Sequence, residues 1–79
     1  MKVILNIFTR KFVNTDNPKT NFTYEFDMVR LPKEDENIEI VTNDGDFYGT
    51  VVGIESFINL VTNEERVYIN VRDDSEPQN

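Results

Sequence analysis

The side chains in this sequence able to do acid–base or metal chemistry are almost all carboxylates. There are 15 Asp and Glu against 8 Lys and Arg, with no His and no Cys. That excludes imidazole catalysis, thiolate nucleophiles, disulfides and the usual zinc sites. Ser56 follows Glu55, but an activated serine needs a base within reach and a third group to orient that base. No such set is spaced around it. Glu25 and Asp27 stand two residues apart, which on a strand places them on one face roughly 7 Å from each other. Two cooperating carboxylates can work at that separation, but a solvated sheet face accounts for the pair more simply. Asn43-Asp44-Gly45-Asp46 offers oxygen ligands yet lacks the longer series and terminal bidentate Glu of a calcium loop. The same residues make a hairpin turn. The chain is expected to be no enzyme and to need neither cofactor nor metal.

The charge balance speaks to partners. Net charge is −7 at pH 7. The basic residues Lys2, Arg10, Lys11, Lys19, Arg30, Lys33, Arg66 and Arg72 are scattered, whereas phosphate binding needs them clustered. Direct nucleic-acid or membrane binding is not expected; a protein partner or self-association is. No apolar run approaches the length of a membrane helix. Asn6 and Arg10 interrupt the N-terminal apolar stretch too early for a secretory signal. The chain reads as cytoplasmic.

The elements that must position these residues are strands. The sequence has no alanine, and its Val, Ile and Thr total 23 of 79 residues. β-branched side chains suit a pleated surface better than a helix. Period-2 alternation recurs, and no sustained helical stripe competes with it. The expected strands cover 2–13, 22–31, 38–42, 47–61 and 66–72. In the second, Phe22, Tyr24, Phe26 and Met28 share one face, with Thr23, Glu25 and Asp27 on the other. Asn43-Asp44-Gly45 suggests a three-residue hairpin loop, pairing Thr42 with Asp46 and Ile40 with Tyr48. The competing phase places Phe47 and Val51 with the isoleucines. The first is preferred because Ile54, Ile58 and Leu60 continue it on even positions. The long strand should kink near Gly53 to Ser56 and serve two sheets. At the 62–65 turn, Val61 is expected to meet Arg66, with Val67, Ile69 and Val71 facing inward.

These elements predict an all-β chain: a small antiparallel meander of five or six strands closed into a barrel, with an open two-sheet β-roll as the alternative. Strand number, strand length and loop pattern resemble the SH3-like fold. Residues 1–72 would form one domain, and 73–79 a disordered acidic tail.

Two surfaces follow. If even positions face the core, Phe47, Val51 and Phe57 face outward beside Val41 as an apolar patch for a protein partner. The same face becomes core if the first hairpin covers it. In a meander the 33–37 loop and the 62–65 turn share one end, gathering Glu34, Asp35, Glu36, Glu64 and Glu65. An acidic end attracts basic partners. The expected function is therefore a non-enzymatic protein–protein interaction module. The alternatives are an acidic inhibitor that mimics DNA, or a small assembly subunit. Short, acidic, Cys-free composition is similar to that of inhibitors carried by phages and mobile elements.

Overall fold

The computed structural model describes residues 2–12, 16 and 18–75. They contain five strands and no helix: β1 (Lys2–Phe8), β2 (Asn21–Asp27), β3 (Asn37–Thr42), β4 (Gly45–Asn59) and β5 (Glu64–Asp73). The strands form one sheet in the order β2-β1-β5-β4-β3. It curls into a half-barrel.

The all-β expectation holds, but the antiparallel meander does not. β5 returns beside β1 and pairs with it in parallel, Val3 opposite Val67 and Ile7 opposite Val71. The other pairings are antiparallel. β1 and β5 therefore occupy the middle of the sheet, and β2 and β3 are its edges.

The concave face holds the core. Val3, Leu5 and Ile7 from β1 meet Phe22 from β2, Phe47 and Val51 from β4, and Val67, Ile69 and Val71 from β5. Fully burying one such side chain contributes about 1.5–3 kcal/mol. Residues 28–36 link the two sheet edges and thus cross the opening at one end, where Pro32 is buried and Met28 and Leu31 pack on the core. Phe12 has left the first strand, which stops at Phe8; its ring lies 5.7 Å from that of Phe22. The convex face is wetter. Thr23 donates to Asn6, and Asn6 to Asn70, in a polar row across β2, β1 and β5.

Three local features correct the expected registers. Thr42 pairs with Gly45 and Ile40 with Phe47, so the β3–β4 turn is Asn43-Asp44 alone. Thr42 Oγ1 organises it, accepting from the Asp44 amide at 3.0 Å and donating to the Gly45 carbonyl at 2.8 Å. Gly45 then takes φ 136°, a conformation open mainly to glycine. Second, the ladder between β4 and β5 shifts register between Val51 and Gly53. This bulge at Val52 bends β4 slightly before the expected kink and reverses its phase. Before it, Phe47 and Val51 face the core; after it, Ile54 lies opposite buried Ile69. Third, Asn59 pairs with Glu64 and Phe57 with Arg66, leaving Leu60–Asn63 as a four-residue turn. Asn59 Oδ1 accepts from the amides of Val61 and Thr62, and Asn63 takes φ 60°.

Candidate docking surface

The four residues expected to form one apolar patch lie in three environments. Phe47 and Val51 are fully buried, because the bulge puts their phase inward. The β1–β2 hairpin covers them, with the Phe22 ring 5.1 Å from that of Phe47. Val41 is exposed on edge strand β3, and Phe57 is partly exposed on the far half of β4.

The expected acidic end is divided as well. The backbone of Asp35 and Glu36 is hydrogen-bonded to Val51, halfway along β4. Glu64 pairs with Asn59 at the end of that strand. At ~3.3 Å per residue the two groups stand roughly 26 Å apart along β4. Arg30 lies 3.5 Å from Glu36, and Arg66 lies 3.1 Å from Glu64. The amide of Lys33 and the Arg30 guanidinium together hold the Glu36 carboxyl below its ordinary pKa.

What the fold does present is an arm. The β1–β5 pairing reaches no further than Val67, and the β3–β4 pairing stops at Thr50. Beyond those points β4 and β5 continue as a two-stranded ribbon out to the Leu60–Asn63 turn. It contributes to a molecule measuring 47 × 25 × 19 Å. Leu60 and Val61 at the tip are 88% and 95% exposed, and Ile58 and Phe57 behind them 63% and 44%. Phe57 carries the Arg66 guanidinium 5.8 Å from its ring centre. An isolated two-stranded hairpin is marginally stable in water. The sheet therefore supports the arm's base, and the apolar tip contributes little to the core.

Leu60 and Val61, expected in paired strand positions, lie in the turn. The available counter-signal was Asn59, whose side chain can close a turn over the next two amides. Apolar residues at a turn are otherwise unexpected, and their exposure is the more informative for it.

The other candidate groups lie on three different elements, Glu25 on β2, Asp44 in the β3–β4 turn and Ser56 on β4. Glu25 is on the exposed convex face, 3.7 Å from Lys2. Ser56 is exposed beside Glu55. Asp44 accepts a 2.6 Å hydrogen bond from Tyr24, whose pKa is raised, first by burial and then by that carboxylate. Among the described residues no three acidic side chains converge as a metal-binding group, and no helix is long and apolar enough to cross a membrane. The boundary expected at residue 72 falls inside β5, and Asp73, Asp74 and Ser75 are hydrogen-bonded into the sheet end. Residues 76–79 lie outside the described residues.

Comparison with protein-family models, with curated proteins and with solved structures finds no match to this chain.

Proposed function

We propose that this protein is a non-enzymatic protein–protein interaction module that docks through the β4–β5 arm. The observation that carries this reading is the exposure of Phe57, Ile58, Leu60 and Val61 on a ribbon reaching past every other strand. Large apolar side chains gathered at an exposed tip mark a surface that a partner can cover. The half-barrel acts as the rigid base, SH3-like in strand number and curvature alone. Glu55 and Glu65, which make no ion pair among the described residues, set a like-charge barrier against pairing of two copies through the arm. This favours a different protein as partner over an assembly subunit. The acidic-inhibitor reading has less support, because Glu36, Glu64 and Asp74 are each engaged by an arginine of the same chain.

The test is capture from a lysate with wild-type protein and with the triple variant Phe57→Ser, Ile58→Ser, Leu60→Ser. Each is washed at ~0.1 M and ~1 M salt, where the Debye lengths are about 10 and 3 Å. A protein held by the wild type through both washes and lost by the folded variant supports the arm. Capture unchanged in the variant overturns it, and capture lost at high salt alone points to charge instead.

A further inference from the structure

The two edge strands face each other across the open side of the half-barrel. Each has a hydrogen-bonded neighbour on one side only, and among the described residues no backbone hydrogen bond joins β2 to β3. The gap between them is a slot of about 340 Å³ whose lining includes Phe26, Met28, Ile38, Glu39, Ile40 and Val41. Both ends are closed. At one, Tyr24 reaches across from β2 and donates its single hydroxyl proton to Asp44 at 2.6 Å, with the Thr42 hydroxyl 3.3 Å away. At the other runs the linker 28–36. Between these closures the slot is about four residues long, roughly 13 Å. Phe26 at 55% and Val41 at 72% exposure leave its walls open to water.

We infer that this slot accepts an extended segment of another protein in which apolar residues alternate with Lys or Arg. Unpaired strand edges recruit a further strand through their amides and carbonyls. A strand lying between β2 and β3 meets two such edges and closes the half-barrel. Its inward side chains rest on Phe26, Ile38 and Ile40. Its outward side chains lie between Glu25 and Asp27 on one lip and Glu39 on the other, all three exposed. Opposite charges in neighbouring cross-strand positions are stabilising and like charges destabilising. Of the three, Glu25 meets Lys2 at 3.7 Å, and no ion pair to Asp27 or Glu39 exists among the described residues. The lips therefore select a basic occupant. They also reject this chain's own candidates. The arm carries Glu55, Glu64 and Glu65, and residues 76–79 hold an acid, a proline and no apolar residue.

The probe is a fluorescein-labelled peptide of three Val-Lys repeats, titrated against the full chain and read by anisotropy, with hydrogen exchange of the β2 and β3 amides as the second measurement. Saturable binding is expected, with slowed exchange along both edges. Affinity should fall about tenfold or more for the peptide N-methylated at its valines, for three Val-Glu repeats, and for the Asp27→Lys, Glu39→Lys variant. No binding overturns the proposal. So does binding indifferent to N-methylation, which would be charge attraction alone. Protection of both edges at high protein concentration without peptide assigns the slot to a second copy and overturns it too. Peptide binding lost in Phe57→Ser but kept in Asp27→Lys, Glu39→Lys places the peptide on the arm. In that case the slot proposal fails while the arm reading stands.

Discussion

Thr9 donates a 2.6 Å hydrogen bond to the buried carboxylate of Asp73, 64 residues away in the chain. It locks the end of β1 to the end of β5 just past their parallel pairing. The other oxygen of Asp73 accepts from the amides of Tyr48 at 3.3 Å and Ser75 at 3.2 Å. Burial alone raises the pKa of Asp73, but the hydrogen bonds from Thr9, Ser75 and the Tyr48 amide outweigh it and hold it below the ordinary value. One carboxylate thus ties together β1, β4 and β5.

A pH dependence follows from that depressed value. The contribution of Asp73 is fully present above the unfolded-state pKa, about 3.9, and is lost as pH falls through the lower folded-state value. Thr9→Val should cost about 1–3 kcal/mol at neutral pH, because it withdraws a donor from a buried charge. Urea midpoints of wild type and Thr9→Val should draw together as pH falls below the folded-state pKa. A gap independent of pH would show that packing at Thr9, not the hydrogen bond, sets the difference.

Gly49 and Gly53 of β4 should respond oppositely to alanine. A Cβ on Gly49 would stand 2.2 Å from the Arg72 carbonyl oxygen, a backbone atom of the neighbouring strand. Gly49→Ala forces β4 and β5 apart and should cost about 3 kcal/mol or more. A Cβ on Gly53 meets only the Asn70 side chain, at 3.7 Å. Gly53→Ala should be neutral or stabilise by about 0.4–1 kcal/mol, since it restricts the unfolded chain. Thermal melts of the two variants check both signs.

Much of this fold was legible in the residues. β-branched composition marked it as all-β, and Phe22, Tyr24 and Phe26 share the expected face. Val67, Ile69 and Val71 face inward as expected, because the β4–β5 turn slid by an even number of pairings and preserved their phase. Phe47 and Val51 were misplaced for one reason. Parity was carried back from Ile54 and Ile58 through Val51-Val52-Gly53, and a single bulged residue there inverts it. The parallel β1–β5 pair had no local signal, since alternation within a strand does not name its neighbour. The acidic end was divided by strand length: the 28–36 linker and the β4–β5 turn lie toward the same end of the sheet, but β4 runs on past Thr50 and carries Glu64 away from Glu36.

Core and arm should separate in stability. Phe47→Ser removes a fully buried ring that contacts Phe22, and loss of such a ring costs about 3–5 kcal/mol. A domain of this length has only about 3–5 kcal/mol in total, so the variant should be largely unfolded by circular dichroism. Leu60→Ser and Val61→Ser should each stay within about 0.5 kcal/mol of wild type. A folded Phe47→Ser protein would contradict the inward phase of β4 before the bulge.

The most direct test of docking by the arm is site-specific photo-crosslinking. A benzophenone side chain is placed in turn at Phe57, at Leu60, and at Tyr48, which is 55% exposed on the same strand away from the arm. Irradiation in a cell lysate, read by mass spectrometry, should yield one recurring protein adduct from Phe57 and Leu60 and none from Tyr48. Adducts of equal yield from all three positions, or from Tyr48 alone, would contradict it.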